Sequence, residues 1–437
     1  MAVLAAALGV IILAVATSFI VARLVEPAVI PEANSADVTD ISVTTEPAPL
    51  RLEETRIDVP VDLLFGTYLD RGGPGRSGYV DSSGPRTVDG YYWIYEAAGA
   101  IGATPLAYGN NLMVGSNDGT YQAIDLTMGQ SVWSLTAEGP IATSGSLGTS
   151  STGEGGSSGT VVVVADDGIV RARHAVTVEE SERWSRRLGT RIRSSPVVEE
   201  ERVYVATTEG VVHALDLATG EMIWSYPGPD ADPLGAVSAG LALDNGIIYV
   251  GTETGGLHLI NTDGTLHCQT VLDGSIRVNP VVTDDRAYIA IGTLMRILPA
   301  GVCDQLVSET VQYLSETVIG VAPAVVGDLM YIPNGIFLNA IDRPAVEEGV
   351  SDPIDVHHWS PGHVQADGKI ASPPVVTDDA VYFGTETGWV HAVDADTGEL
   401  LWEWQTESYV RASPVVIDGA AYIASGDGKV YAVGPSG

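Results

Sequence analysis

The sequence predicts an all-β chain: an eight-bladed β-propeller of four-stranded antiparallel blades, preceded by one N-terminal transmembrane helix and an extended linker. Three observations carry this. Gly384–Trp402 reads GTETGWVHAVDADTGELLW, and 115–133, 206–224 and 251–268 repeat it with decreasing fidelity. A second signature precedes most copies, as in Ser194-Ser195-Pro196-Val197-Val198, Asn279-Pro280-Val281-Val282 and Ser413-Pro414-Val415-Val416. The spacing of roughly 40–50 residues is that of four-stranded propeller blades. Finally, the last copy (Ser425–Val433) lacks an outermost strand, while Tyr91–Tyr95 is an outermost strand without its own blade. The two fragments complete each other and close the ring, which removes free sheet edges.

The residue types within one unit follow from the fold. Val381–Gly384 and Val390–Val393 are short β-branched and aromatic runs joined by a polar, glycine-ended hairpin. Asp394-Ala395-Asp396-Thr397-Gly398 is a second tight turn, in which Asp and Thr oxygens accept backbone N–H bonds. An outer-strand indole then fills the wedge between neighbouring blades. Trp93, Trp133, Trp184, Trp224, Trp359 and Trp402 are the predicted docking set.

In chain order, residues 1–25 hold the apolar run Ala2–Val21, long enough for a membrane-spanning helix. A cleaved signal segment is the competing reading; the length of the run favours an uncleaved anchor. Residues 26–64 form an acidic, Pro-rich linker, and 65–437 form the propeller, closed by strand 91–95. First-strand signatures near Pro105, Gly145, Pro196, Gly240, Pro280, Pro323, Pro373 and Pro414 count eight blades. The count falls to seven if one unit in the degenerate region 290–360 is not a blade. The Gly/Ser-rich tract 144–159 reads as a mobile loop inside the second unit.

Ala214–Trp224 and Ala392–Trp402 share Ala-x-Asp-x-x-Thr-Gly-x-x-x-Trp, which resembles the tryptophan-docking motif of the pyrroloquinoline-quinone-type propeller family. Arg71–Gly78 is similar to the segment preceding the ring in many members. The resemblance implies the propeller fold over nearly everything after about residue 65. In function it spans quinone-dependent dehydrogenases, membrane sensor domains and non-catalytic envelope scaffolds such as the outer-membrane assembly lipoproteins. The dehydrogenases are similar in carrying adjacent, disulfide-bonded cysteines, a Glu/Asn/Asp calcium set and a catalytic Asp. Here the only cysteines are Cys268 and Cys303, and the tryptophans fall mainly in outer-strand slots. No catalytic, cofactor-binding or metal-binding residue is therefore assigned, and no cofactor is expected.

His213, His258 and His391 share one third-strand slot where Tyr121 and Tyr431 also stand. They belong to different blades, so packing rather than metal binding is expected. Cys268 takes the slot of a docking Trp, and Cys303 lies in the matching region of the next unit. A bridge between blades and two free buried thiols both fit that placement.

Fifty-six Asp plus Glu against 21 Lys plus Arg give a net charge of −35, which argues against nucleic acid and anionic headgroups as ligands. The acids concentrate on the face bearing Glu199–Glu201, Asp216, Asp263, Asp378-Asp379 and Asp394. Arg193, Arg277 and Arg411 each precede their unit's anchor proline by three residues, which gathers them at the opposite mouth of the channel. They form the candidate partner-binding rim, unless Glu209, Glu253 and Glu386 of the hairpins pair with them internally. The resulting expectation is a membrane-anchored, monomeric, extracytoplasmic ring, secreted if the N-terminal segment is cleaved, that binds other envelope or membrane proteins. A quinone-dependent dehydrogenase and a ligand-sensing ectodomain are the alternatives.

Overall fold

The structure, a computed structural model, describes residues 67–68, 73–152, 156–176, 182–189, 191–283, 285–305, 307–309, 319–348, 356–360 and 362–436. The predicted anchor 1–25 and linker 26–64 lie outside the described residues. Among the described residues no helix is long and apolar enough to cross a membrane.

Eight antiparallel sheets follow one another, each with its strands in the order innermost to outermost. The degenerate region thus supplies two true blades, with innermost strands Val281–Val282 and Ala324–Val326. The eighth blade takes its outermost strand, Gly90–Glu96, from the start of the ring, paired antiparallel to Lys429–Gly434. Second strands are packed from both sides and read as unbroken apolar runs; every residue of Ala380–Gly384 and Ala420–Ala424 is buried. Outermost strands are covered less. Leu266–Val271 exposes Leu266, His267, Gln269 and Val271.

The joints between blades explain the repeat. In blades 1, 3 and 7, Asp125, Asp216 and Asp394 each accept two backbone N–H bonds and a Thr hydroxyl through Oδ1, which fixes the last turn. The Trp of the preceding blade lies over that turn and donates its indole N–H to a backbone carbonyl. Trp93 reaches Leu126 at 2.8 Å, Trp184 reaches Leu217 at 2.9 Å, Trp224 reaches Thr262 at 3.0 Å and Trp359 reaches Ala395 at 2.9 Å. Trp133 does the same to Ala175 at 3.2 Å, while Trp402 donates to the carbonyl of Pro85, in the segment before the ring-closing strand, at 2.6 Å. Gly220 is required twice over: its φ is 71°, and a Cβ there would stand 2.5 Å from the Trp184 ring.

Two joints are built otherwise. Between blades 4 and 5, Cys268 and Cys303 are disulfide-bonded with Cα atoms 6.0 Å apart, and His267 Nε2 lies 2.9 Å from the Gly301 carbonyl. Between blades 5 and 6, Arg286 holds both carboxylate oxygens of Glu347 at 3.1 and 2.7 Å, and Arg343 meets Asp285 at 3.1 Å. Glu347 and Arg343 belong to a short helix, Arg343–Glu347. It starts where Asp342, the remnant of the Asp-x-x-Thr-Gly turn, accepts the Ala345 N–H at 2.8 Å.

The tract 144–159 is not the expected loop. Ser146–Thr152 pairs with Gly156–Val164 from Ser146↔Val162 to Thr152↔Gly156. Two of its glycines serve close packing: a Cβ at Gly148 would stand 2.4 Å from Val198, and one at Gly159 2.4 Å from Tyr108.

The segment before the ring-closing strand runs across the lower mouth of the channel. Thr67–Tyr68 pairs with the innermost strand of blade 1. From Pro74 onward, carbonyls of Pro74, Gly75, Ser77 and Gly78 accept the N–H groups of Leu243, Val282, Val325 and Val376, the innermost strands of blades 4 to 7 in turn. The Ser83 carbonyl then takes the N–H of Gly419 in blade 8. Arg76, 3% exposed, donates Nε–H to the Leu241 carbonyl at 2.5 Å. Gly75 allows this approach, since a Cβ there would lie 2.6 Å from the Val282 oxygen. A cavity of about 20 Å³, the room of a single water, remains beside Arg76 and Pro196.

Candidate binding surface at the open channel mouth

At several blades the chain enters through one buried aliphatic residue that is pinned to the preceding hairpin. Ile141, Ile276 and Val410, all 0% exposed, donate their N–H groups to the carbonyls of Ser116, Thr252 and Thr385. The residue after each pinned position is thereby held at one height on the rim. Arg277 and Arg411 follow the pinned Ile276 and Val410, and Arg193, after the buried Ile192, meets Asp166 of the preceding hairpin, so the three arginines share this mouth.

Their partners differ. Arg193 meets Asp166 at 3.3 Å, and Arg191 approaches the same carboxylate at 3.9 Å. Arg277 lies 3.6 Å from Glu253 with its side chain 68% exposed. Arg411 stacks on the Tyr409 ring, its guanidinium carbon 4.4 Å from the centroid. Of the three glutamates expected to pair internally with the rim arginines, Glu253 takes one and Glu386 is paired with Lys369 at 3.9 Å. Such exposed pairs contribute about 0–1 kcal/mol each, so a partner's carboxylate competes readily for these guanidinium groups. Beside Arg193, a hollow of about 520 Å³ extends from Asn117 of blade 1 to Ser238 of blade 4.

The third-strand histidines pack against neighbouring side chains. His213 Nδ1 faces Ser225 Oγ at 2.8 Å, and His258 Nδ1 faces Gln269 Oε1 at 3.2 Å. His391, 4% exposed, stacks on Phe383 with centroids 5.2 Å apart. Burial pushes His213 and His391 down to about 4 and lowers His258 as well. Among the described residues no group of three or more His, Cys, Asp or Glu side chains is placed to hold a metal ion.

The pH consequence has a definite sign. A histidine of ordinary value titrates near 6.5 in the unfolded chain, so between pH 6.5 and about 4 the unfolded chain binds more protons and stability falls as the pH is lowered. His391→Phe keeps an aromatic ring on Phe383 and removes the proton site; Nε2 of His391 has no hydrogen-bond partner among the described residues, and Nδ1 lies 3.8 Å from Glu403. Melting temperature followed from pH 7 to pH 4 is expected to fall less steeply in this variant than in the wild type. Parallel slopes would contradict the assignment.

The disulfide links blades 4 and 5, and each of the six docking indoles donates to a backbone carbonyl.

Comparison with known proteins agrees with the repeat. The family model described as outer membrane protein assembly factor BamB matches residues 89–177, 151–238, 209–293 and 355–435, together more than half of the chain. The chain belongs to this family of PQQ-like propeller repeats. The stretch left unmatched within the ring, 294–354, contains the helix that replaces a Trp dock between blades 5 and 6. The BamB-family relatives include the assembly factor BamB of Salmonella typhimurium, 35% identical over 95 residues, which are 20% of this chain and 24% of that protein. BamB of Escherichia coli is 29% identical over 140 residues, 29% of this chain and 36% of its own length. The matches therefore span about a third or less of these relatives. Among solved structures, BamB of Moraxella catarrhalis superposes with a TM-score of 0.57 at 18% identity, over 79% of this chain and 99% of that one. A europium-containing methanol dehydrogenase gives 0.63 at 14% identity, over 85% and 98%. At these identities the likeness is one of fold.

Proposed function

We propose that this chain is a cofactor-free binding platform of the cell envelope, a monomeric ring that holds proteins engaged in outer-membrane assembly and catalyses no reaction. Residues 1–25 are proposed to anchor it, with the propeller on the extracytoplasmic side. The observation that carries the reading is the asymmetry of the channel. Among the described residues, one mouth is crossed by the chain's own segment, and the other presents three arginines in weak or aromatic contacts. Family membership supports a scaffold, since the matched relatives are named for their part in assembly. The bidentate geometry of guanidinium suits the carboxylates of a partner protein.

The test is the triple variant Arg193→Ala, Arg277→Ala, Arg411→Ala, scored separately for melting temperature and for recovery of crosslinked envelope partners per folded molecule. Recovery is expected to fall at least tenfold with melting close to wild type. Lower melting with unchanged recovery would make the arginines structural and remove this mouth as the site.

A further inference from the structure

Six blades carry an acidic residue in the hairpin at the open mouth: Asp118, Asp166, Glu209, Glu253, Glu386 and Asp427. Blades 5 and 6 do not. There the hairpins shrink to two residues, Gly292-Thr293 and Gly335-Ile336, where blades 4 and 7 have four between their strands. The acidic rim is thus interrupted over these two blades. The gap holds a groove of about 540 Å³ lined by Val278, Ala290, Ile291, Leu294 and Ile319, with Asp273 and Arg277 at its edge. Ser275 Oγ, also in the lining, is buried and makes no hydrogen bond to a described residue.

We propose that this groove seats an apolar side chain of a partner polypeptide, with Arg277 reading a carboxylate on the residue beside it. The inference rests on the scaffold reading and specifies its partner chemistry. Charge complementarity selects this occupant. Arg277 is held by a single exposed carboxylate at 3.6 Å, and the apolar floor beside it has lost the acidic hairpin tips that would repel an acidic segment. An apolar anchor beside a fixed guanidinium is the pairing that gives both affinity and register.

The probes are three blocked, dye-labelled octapeptides with Leu-Asp, Leu-Asn or Ser-Asp at the centre of an otherwise Gly/Ser sequence. They are titrated against the full-length chain by fluorescence anisotropy. The Leu-Asp peptide is expected to bind at least tenfold tighter than either of the others. Arg277→Ala should erase the difference between Leu-Asp and Leu-Asn while leaving that between Leu-Asp and Ser-Asp. Leu294→Glu, or Thr293→Trp if the first variant melts early, should abolish the preference for Leu. Arg86→Ala, whose side chain meets Asp379 and Asp394 of blade 7, should change none of these ratios. Equal affinity for the Asp and Asn peptides, a preference that survives Arg277→Ala, or no binding to a natively melting chain would each overturn the proposal. Failure of the peptides with partner recovery still lost in the triple variant would sink the seat and leave the scaffold. Peptide discrimination with partner recovery unchanged in that variant would do the reverse.

Discussion

A chain starting at Glu96 is expected to show no cooperative melt and to aggregate, whereas one starting at Val61 should melt like the full-length protein. The shorter chain loses the outermost strand of blade 8 with Tyr92, 2% exposed, and Trp93, 4% exposed. Burying each such side chain contributes about 1.5–3 kcal/mol. It also loses the segment whose carbonyls tie blades 4 to 8 together, and it bares the edge of Lys429–Gly434. Against a typical total stability of about 5–15 kcal/mol, the combined loss removes the native state. Circular dichroism melts and sedimentation of the two chains decide the matter, and matching transitions would refute ring closure by this strand.

The second large effect belongs to the disulfide. Cys268 and Cys303 are 35 residues apart, and closing a loop of that size restricts the unfolded chain by about 4 kcal/mol. The paired substitution Cys268→Ser, Cys303→Ser is expected to lower the stability from denaturant unfolding by that order. Reductant should bring the wild type to the same value and leave the variant unmoved. Denatured, unreduced wild-type protein should show no reactive thiol; two would mean that the bond does not form.

The contrast between these joints shows what a sequence can disclose. The Asp-x-x-Thr-Gly turn and its Trp are legible because each atom of the joint is specified within one repeat. Asp216 Oδ1 holds the turn, Gly220 has the only side chain the Trp184 ring tolerates, and the pattern alone identifies the six docking indoles. The disulfide stays open at that level because sequence sets no distance between Cys268 and Cys303. Arg193 meets Asp166, which is not among the hairpin glutamates Glu209, Glu253 and Glu386 considered from sequence, since a chain entering a blade passes the hairpin of the blade before. The Gly/Ser tract has the composition of a loop, although paired strands accept Ser and Thr and its glycines admit Val198 and Tyr108. The groove over blades 5 and 6 leaves no motif at all. It follows from shortened hairpins in the most degenerate repeats, where the absence of a residue type is the signal.

The shared eighth blade has a consequence for how the molecule is made. Tyr92 donates its hydroxyl to the carbonyl of Pro435, across 343 positions of chain. A ribosome releases residues 90–96 long before residues 415–434 exist, so the strand that will end the circle waits through the synthesis of seven blades. Contacts this distant in sequence slow folding, because the entropy of bringing the ends together is lost before any bond compensates for it. During that interval Trp93 and its neighbours are exposed, the condition under which partly folded chains associate. Folding of the finished ring should therefore be slow, set by the meeting of its two ends, and dependent on holding chaperones while the chain is still being extended.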